Sequence, residues 1–534
     1  MRFHMICEFD ATQGKWYRAA ALLCGLGMIM CLGVESAQAA TPRRIGIIHS
    51  DTVNSLFGRT IVPLRREGTN HSDLIILNGR RANYLYRGGI NFDTLPYLRF
   101  DSTWYPSEIG DVNGDGFDDI GVDGLFQGKE KLTIYYGGDM LDTVPDLRLG
   151  LDTLVATGIP AVNCGDIDGD GRIDLASSTV PAYDRVSIFS LGPVPDTVQK
   201  YMLRPIGISP TVYACFGQTD AGGIAAGDFN GDGRRDLAVG LTFRAQAYRN
   251  GEVWVYYGGS DFDTVPDLRI VRPGQNQDYY AMFGSQVVCP GDLNGDGYDD
   301  LVVAAAPSPD STVFIYYGGA HGLDSLPGFS FYAHVSEIRA AGDLNGDGYA
   351  DIIMSYPSPY VGGYVALYYG GPAMTGRPDL IINPSSDSFP SYTAGFGRGA
   401  TGVGDFDGDS INDFAFALYD SDTRGHVYIY SGTRPTEVEV RPEGGEPREN
   451  TLESNTPNPF NATTRIQFSV MRRTKVRIEI IDILGRTMSV LIDRPLDVGR
   501  YSVDWNADGK PSGVYFCVLE TDGMRLVRKM VLLK

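Results

Sequence analysis

Apolar and polar residues alternate with a period of two along most of this chain, the spacing of a strand that turns one face inward. The alternation comes in short bursts. LTIYYGG, VWVYYGG, VFIYYGG and VALYYGG each rise to paired or single tyrosines and stop at glycine. Each follows a shorter apolar run, such as Leu301-Val302-Val303 or Ile352-Ile353-Met354, and precedes a segment of the type DTVPDLRL. No part of this repeat keeps the three-and-four spacing of an amphipathic helix. Each unit therefore predicts about four short strands, the content of one propeller blade.

A polar loop punctuates the units. DVNGDGFDD begins at Asp111, and its counterparts begin at Asp166, Asp228, Asp292, Asp343 and Asp405, at spacings of 55, 62, 64, 51 and 62 residues. Oxygen-bearing side chains stand at positions 1, 3, 5 and 9 of each loop. They are Asp111, Asn113, Asp115 and Asp119; Asp166, Asp168, Asp170 and Asp174; and Asp228, Asn230, Asp232 and Asp236. The later loops supply Asp292, Asn294, Asp296 and Asp300; Asp343, Asn345, Asp347 and Asp351; and Asp405, Asp407, Asp409 and Asp413. Alternate oxygens converge on one point only where the backbone turns sharply, hence the glycines at positions 4 and 6. Ca²⁺ takes six to eight oxygens at ~2.3–2.6 Å, and a carbonyl at position 7 with water would complete such a shell. These loops are expected to bind Ca²⁺ at up to six sites. They are not EF-hand loops, which need a bidentate Glu at position 12; that position here holds Val122, Ser177, Val239, Val303, Met354 and Phe416. The sixth loop has Ser410 in place of its second glycine and is expected to bind most weakly.

A seventh unit precedes the six. Its strands follow the same order, but aligning Asp73 with position 9 puts Arg65, Glu67 and Thr69 on the other ligand positions. The last unit stops at Gly432 without a fourth strand, and RIGIIHS at 44–50 is the segment expected to close the ring onto it. Closure removes the open sheet edge that invites aggregation.

Loops of this kind, set between Phe-Gly pairs (Phe216-Gly217, Phe283-Gly284, Phe396-Gly397) and Gly-x-Val-Tyr-like strands, resemble the FG-GAP repeats of integrin α-subunit propellers. The resemblance covers roughly residues 44–433. It departs from the family in the units without a Phe-Gly pair and in the first unit's missing metal loop. It implies a seven-bladed propeller with calcium between the first two strands of a blade, on one face, and ligands on the opposite face.

The ends of the chain read differently. An apolar stretch at 19–34 follows Lys15 and Arg18 and precedes Ala37-Gln38-Ala39, so 1–39 is expected to be a secretory signal peptide and 40–433 the propeller. Residues 434–454 are rich in Pro, Glu and Gly and read as a linker. Residues 455–534 hold 13 Lys/Arg against 8 Asp/Glu and five alternating segments, the pattern of a small immunoglobulin-like β-sandwich. TPNPFNATTRIQF, IIDILGR, SGVYFCVLE and VRKMVLLK resemble the sorting domain of bacterial type IX secretion cargo. That implies the type IX translocon as a partner and a secreted or outer-membrane-surface location. The expected fold class is all-β, a seven-bladed propeller followed by the sandwich.

Composition narrows the function. A net charge of −21 argues against a phosphate-backbone binder, and no further apolar run is long enough for an integral membrane span. The acid is concentrated, since 20 of the 49 acidic residues in 40–433 fall on ligand positions of the six loops. Four cysteines in the mature chain (164, 215, 289, 517) make no disulfide framework and are expected as buried thiols. No H-E-x-x-H, G-x-S-x-G or phosphate-binding glycine loop occurs, so no catalytic residue is assigned. The expected function is a non-catalytic binding or adhesion module for a protein or glycan. Tyr213, Tyr248, Tyr279, Tyr280, Tyr356, Tyr360 and Tyr392 are the ligand-face candidates. The alternatives are the accessory propeller of a secreted hydrolase acting on polysaccharide or phosphodiester, or a structural envelope protein.

Overall fold

The computed structural model describes residues 42–533, except 51–56, 66–70, 79–81, 91, 101–105, 127–128, 139–140, 151–160, 179–184, 192–197, 207–213, 218–222, 244–250, 274–281, 306–310, 358–362, 373, 386–388, 390–393, 420–424, 434–440, 443–446, 448, 462, 484–485, 497, 508–509 and 522–523. Two paired dipeptides, Phe9–Asp10 and Lys15–Trp16, are described before residue 42. The chain divides into two compact units, Met1–Ala39 and Ala40–Lys534. The segment 1–39, expected as a signal peptide, lies largely outside the described residues. Among the described residues no helix is long and apolar enough to cross a membrane.

The fold is all-β. Seven antiparallel sheets of the same design run from residue 61 to residue 431, six of them built from consecutive strands. The fourth sheet, for example, runs from Ile224–Gly227 through Asp236–Phe243 and Glu252–Tyr256 to Leu268–Val271, with Ala214–Phe216 pairing as an extra piece beside the second strand. The seventh takes Ala394–Gly404, Asp413–Tyr419 and Gly425–Ser431 from one end of the repeat and Arg43–His49 from the other. The first strand of each sheet packs against the first strand of the next, and the seventh returns to the first. This is the closed ring of a β-propeller, and no sheet edge is left open where the ring meets itself.

Burial explains why the alternation is clear on some strands and lost on others. Inner strands such as Asp174–Ser178 and Thr312–Tyr316 are buried on both faces, because each sheet packs between two neighbours. Phe229, Val253, Phe283, Val303 and Phe314 form the layer between the fourth and fifth sheets. Fourth strands such as Phe329–Tyr332 sit at the rim and keep the alternation, exposed residues interleaved with Phe331. The Phe-Gly pairs serve this packing. Phe283 is fully buried, and a Cβ on Gly284, whose φ is +81°, would lie 2.7 Å from the Glu252 carbonyl. The first strands surround a central cavity of about 430 Å³, into which Glu108 and Arg339 reach among apolar residues such as Val62, Ala225 and Val287.

Two further sheets form the C-terminal sandwich around a core that includes Phe460, Ile478, Trp505 and Tyr515. It starts earlier than the composition suggests. Arg441–Pro442 pairs with Gly499–Asn506, and Thr451–Leu452 pairs with Thr463–Val470, both inside the stretch expected as linker. Leu452 is the reason for the second pairing, since its side chain enters the sandwich core. The Asn458 side chain accepts from the Val531 N–H at 3.0 Å and donates to the Lys529 carbonyl at 3.1 Å, tying the TPNPF segment to the last strand. The four described cysteines are free, and burial pushes the thiols of Cys164, Cys289 and Cys517 up to about 12.

Candidate functional site

Each of the six loops joins the first strand of a sheet to the second, and its side-chain oxygens accept from the loop's own backbone. In the fourth sheet, Asp228 accepts from the N–H groups of Gly231 at 2.7 Å, Asp232 at 3.1 Å and Gly233 at 2.9 Å. Asn230 accepts from Asp232 N–H at 2.9 Å, and Asp232 accepts from Arg234 N–H at 2.9 Å. The loops at Asp111, Asp292 and Asp343 repeat this scheme; the Gly116, Gly297 and Gly348 amides donate to the first aspartate at 2.7, 2.8 and 2.8 Å. In all three, the position-3 asparagine also donates its side-chain amide to the position-5 aspartate, at 2.9 to 3.0 Å. The turn demands a left-handed residue at position 6, and Gly233 has φ +85° there. Ser410 takes φ +70° in the same place and still donates to Asp405 at 2.8 Å.

Position 9 is the deepest. Asp119, Asp174, Asp236, Asp300, Asp351 and Asp413 are each 0% exposed. Asp236 accepts from Phe229 N–H at 2.9 Å and from Gly258 N–H at 2.8 Å, so one carboxylate ties the loop to the end of the third strand. Asp119, Asp300, Asp351 and Asp413 make the equivalent pair of bonds. Burial raises their carboxyls, to about 7 for Asp119, Asp236, Asp300 and Asp413 and about 8 for Asp351, with nearby loop carboxylates adding to the rise. These are buried acids short of positive charge, and a divalent cation inverts that balance.

The loops share one face of the ring, because five of the six each accept from a residue beyond the third strand of the next sheet. Gly259 N–H donates to the Ile167 carbonyl at 2.8 Å, Gly319 to Phe229 at 3.0 Å, Gly371 to Leu293 at 2.6 Å and Thr433 to Leu344 at 2.7 Å. Gly89 donates to Phe406 at 2.7 Å, which carries the same link from the seventh sheet into the first.

The donor set fits a hard cation. Every loop offers carboxylate oxygens, four of them an asparagine amide oxygen as well, and none offers sulfur or imidazole, the preference of Ca²⁺. In the two all-aspartate loops, one oxygen each from Asp166, Asp168 and Asp174, and from Asp405, Asp407 and Asp413, lies within 4.8 Å of the others. Asp166 Oδ1 and Asp174 Oδ1 are buried without a hydrogen-bond partner. A cation at each loop would be held by the side chains of positions 1, 3, 5 and 9.

The first sheet departs from this. Asp73 is buried and accepts from Gly88 N–H at 3.1 Å, the bond that Asp236 makes to Gly258. Arg65 stands at position 1, since its N–H and carbonyl meet Asp118 as those of Asp228 meet Asp299. Glu67 and Thr69 lie outside the described residues. So do six of the seven tyrosines expected on a ligand face: Tyr213, Tyr248, Tyr279, Tyr280, Tyr360 and Tyr392. Tyr356 is described at the end of a second strand, 38% exposed, its ring 6.0 Å from those of His334 and Tyr364. Sequence reading missed the loop-to-loop amide ladder and the side chain of Lys200, which reaches Asp168 and Asp170.

Comparison with known proteins identifies the repeat and the C-terminal module. Residues 228–303 and 292–354 match the FG-GAP-like repeat, and residues 456–533 match the secretion system C-terminal sorting domain. Integrin alpha-IIb of Mus musculus is 30% identical over 248 residues, covering 42% of this chain and 22% of that protein. Integrin alpha-5 of Xenopus laevis is 29% identical over 187 residues, covering 30% of this chain and 17% of that protein. The chain spans about a fifth of the length of these curated relatives. A solved structure of PorZ, a surface component of the type-IX secretion system of Porphyromonas gingivalis, aligns with TM-score 0.34 at 13% identity over 92% of this chain and 58% of that one. A likeness of that size carries no argument. The sorting domain makes the chain an exported bacterial protein, secreted or at the outer-membrane surface.

Proposed function

We propose that this chain is a calcium-dependent binding or adhesion protein. Ca²⁺ bound in the loops would stiffen one face of the ring so that the opposite face can hold a protein or glycan. The mature chain would comprise the propeller from residue 40 and a sorting module that engages the type IX translocon. The observation that carries this reading is the set of six wholly buried position-9 aspartates on a ring of linked loops. Such burial is costly without a cation and gains rigidity with one. The FG-GAP-like repeat match and the integrin alpha relatives support the binding reading. Recognition rather than catalysis is the assigned activity, with Tyr356 and the candidate tyrosines outside the described residues as contact residues on the far face.

The test is retention of the purified mature chain on a panel of surface glycans and envelope proteins, in Ca²⁺ and in chelator. Retention of one ligand class, lost in chelator and restored by Ca²⁺, is the expected result. Hydrolytic turnover of a surface polymer would contradict it.

A further inference from the structure

The third sheet breaks the repeat at three places that meet at its loop. The fourth strand of a sheet is entered through one backbone bond, which fixes the equivalent residues. Asp146 N–H donates to the Ile134 carbonyl at 3.0 Å, Asp267 to Val255 at 2.9 Å, Asp379 to Leu367 at 2.9 Å, and Lys200 to Ile188 at 2.7 Å. In the second, fourth and sixth sheets that residue is an aspartate whose carboxylate accepts from the Tyr136, Tyr257 or Tyr369 N–H at 2.8 Å. In the third it is a lysine.

The end of the third strand has changed as well. Where the other sheets have Gly137, Gly258, Gly318 or Gly370, the third has Leu191. A Cβ at Gly258 would sit 2.5 Å from the Arg235 carbonyl, and one at Gly370 would sit 2.3 Å from that of Ala350. Leu191 therefore takes another path, its N–H donating to the Ile173 carbonyl at 2.7 Å. Asp174 Oδ1 is left buried without a donor. The third change is at position 3, where Asp168 replaces the asparagine found in four of the loops and sets a second carboxylate beside Asp170.

Lys200 Nζ lies 2.5 Å from Asp168 Oδ2 and 2.5 Å from Asp170 Oδ2. Asp168 also accepts from the Tyr201 hydroxyl at 2.9 Å. We propose that Lys200 is the resident cation of the third sheet's loop, Asp166–Asp174, which folds around a tethered ammonium and takes up no Ca²⁺. The first sheet follows the same logic. Its fourth strand is entered by the equivalent bond, Tyr97 N–H to the Leu85 carbonyl at 2.9 Å, and the Tyr97 hydroxyl donates to Asp73 at 3.1 Å. Two sheets thus replace the ion with a side chain from one and the same position.

The inference rests on the calcium reading of the other loops, and the experiment separates the two. Calcium titration calorimetry on the full mature chain is expected to give one site fewer than there are loops. Asp168→Asn should leave that number unchanged, while Asp296→Asn should lower it by one. Lys200→Met should raise it by one, and in chelator that variant should melt below the parent and recover with Ca²⁺. A loss of one site in Asp168→Asn, or equal numbers in the parent and a folded Lys200→Met, would overturn the proposal alone. A parent chain that binds no Ca²⁺ would overturn the calcium reading with it.

Discussion

The Gly258 N–H points at Asp236 across 2.8 Å, although the two residues stand 22 apart in the chain. The other oxygen of that carboxylate serves Phe229 inside the loop. One side chain therefore holds the third strand to the loop and, under the proposed calcium reading, also supplies charge to the cation. Position 5 ties nothing outside its loop: Asp296 is exposed, and it accepts only from Asn294 and Tyr298 beside it.

The two positions should separate in mutants. Asp236→Ala strands two buried N–H groups, at about 1–3 kcal/mol each, and should destabilise the chain in chelator as well as in Ca²⁺. Asp296→Ala should cost stability in Ca²⁺ and little in chelator. Denaturant unfolding of both variants in the two conditions checks this.

Ser410→Gly should stabilise the chain. A left-handed L-residue costs roughly 1–2 kcal/mol, and Ser410 bears that cost at φ +70°. The gain offsets against the added chain entropy of glycine, leaving about 1 kcal/mol. Thermal unfolding in chelator is the clean readout, since it removes any change in ion affinity.

How much of this was legible follows from where the signal lies. Six loops repeat the same oxygens at the same offsets, so the cages and their sheets stood out from sequence alone. Arg43–His49 was legible as the closing strand because the last unit visibly lacked one. Lys200 was not, since it stands 30 residues from Asp170 and gains meaning only once the fourth strands are superposed. The sign of it was present as Lys for Asp and Leu191 for Gly, two departures at different points of one unit. Leu452 was hidden for another reason, because a single buried leucine in a Pro- and Glu-rich stretch has no periodicity to announce it.

Glu108 sets a pH dependence. Its side chain is exposed to the central cavity, but the protein crowded around it raises the carboxyl to about 7, with Asp118 adding and Arg65 and Arg235 opposing. The folded chain then holds a proton that the unfolded chain, at about 4.5, has released. Stability from this group should fall as pH rises from about 4.5 to about 7 and level off above that. Glu108→Gln should remove that slope and melt higher than the parent above pH 7. Melting curves of the two across pH, at one fixed Ca²⁺ concentration, isolate the difference.

Calcium itself is the central matter, and thermal unfolding of the full mature chain in Ca²⁺ and in chelator addresses it most directly. A ligand that binds only the native state adds about 2.7 kcal/mol per site at a hundredfold its Kd. The expected result is a large fall in Tm in chelator, reversed by Ca²⁺ and poorly by Mg²⁺, which keeps its waters and resists a cage of this size. A Tm that is the same in Ca²⁺ and in chelator would contradict the account.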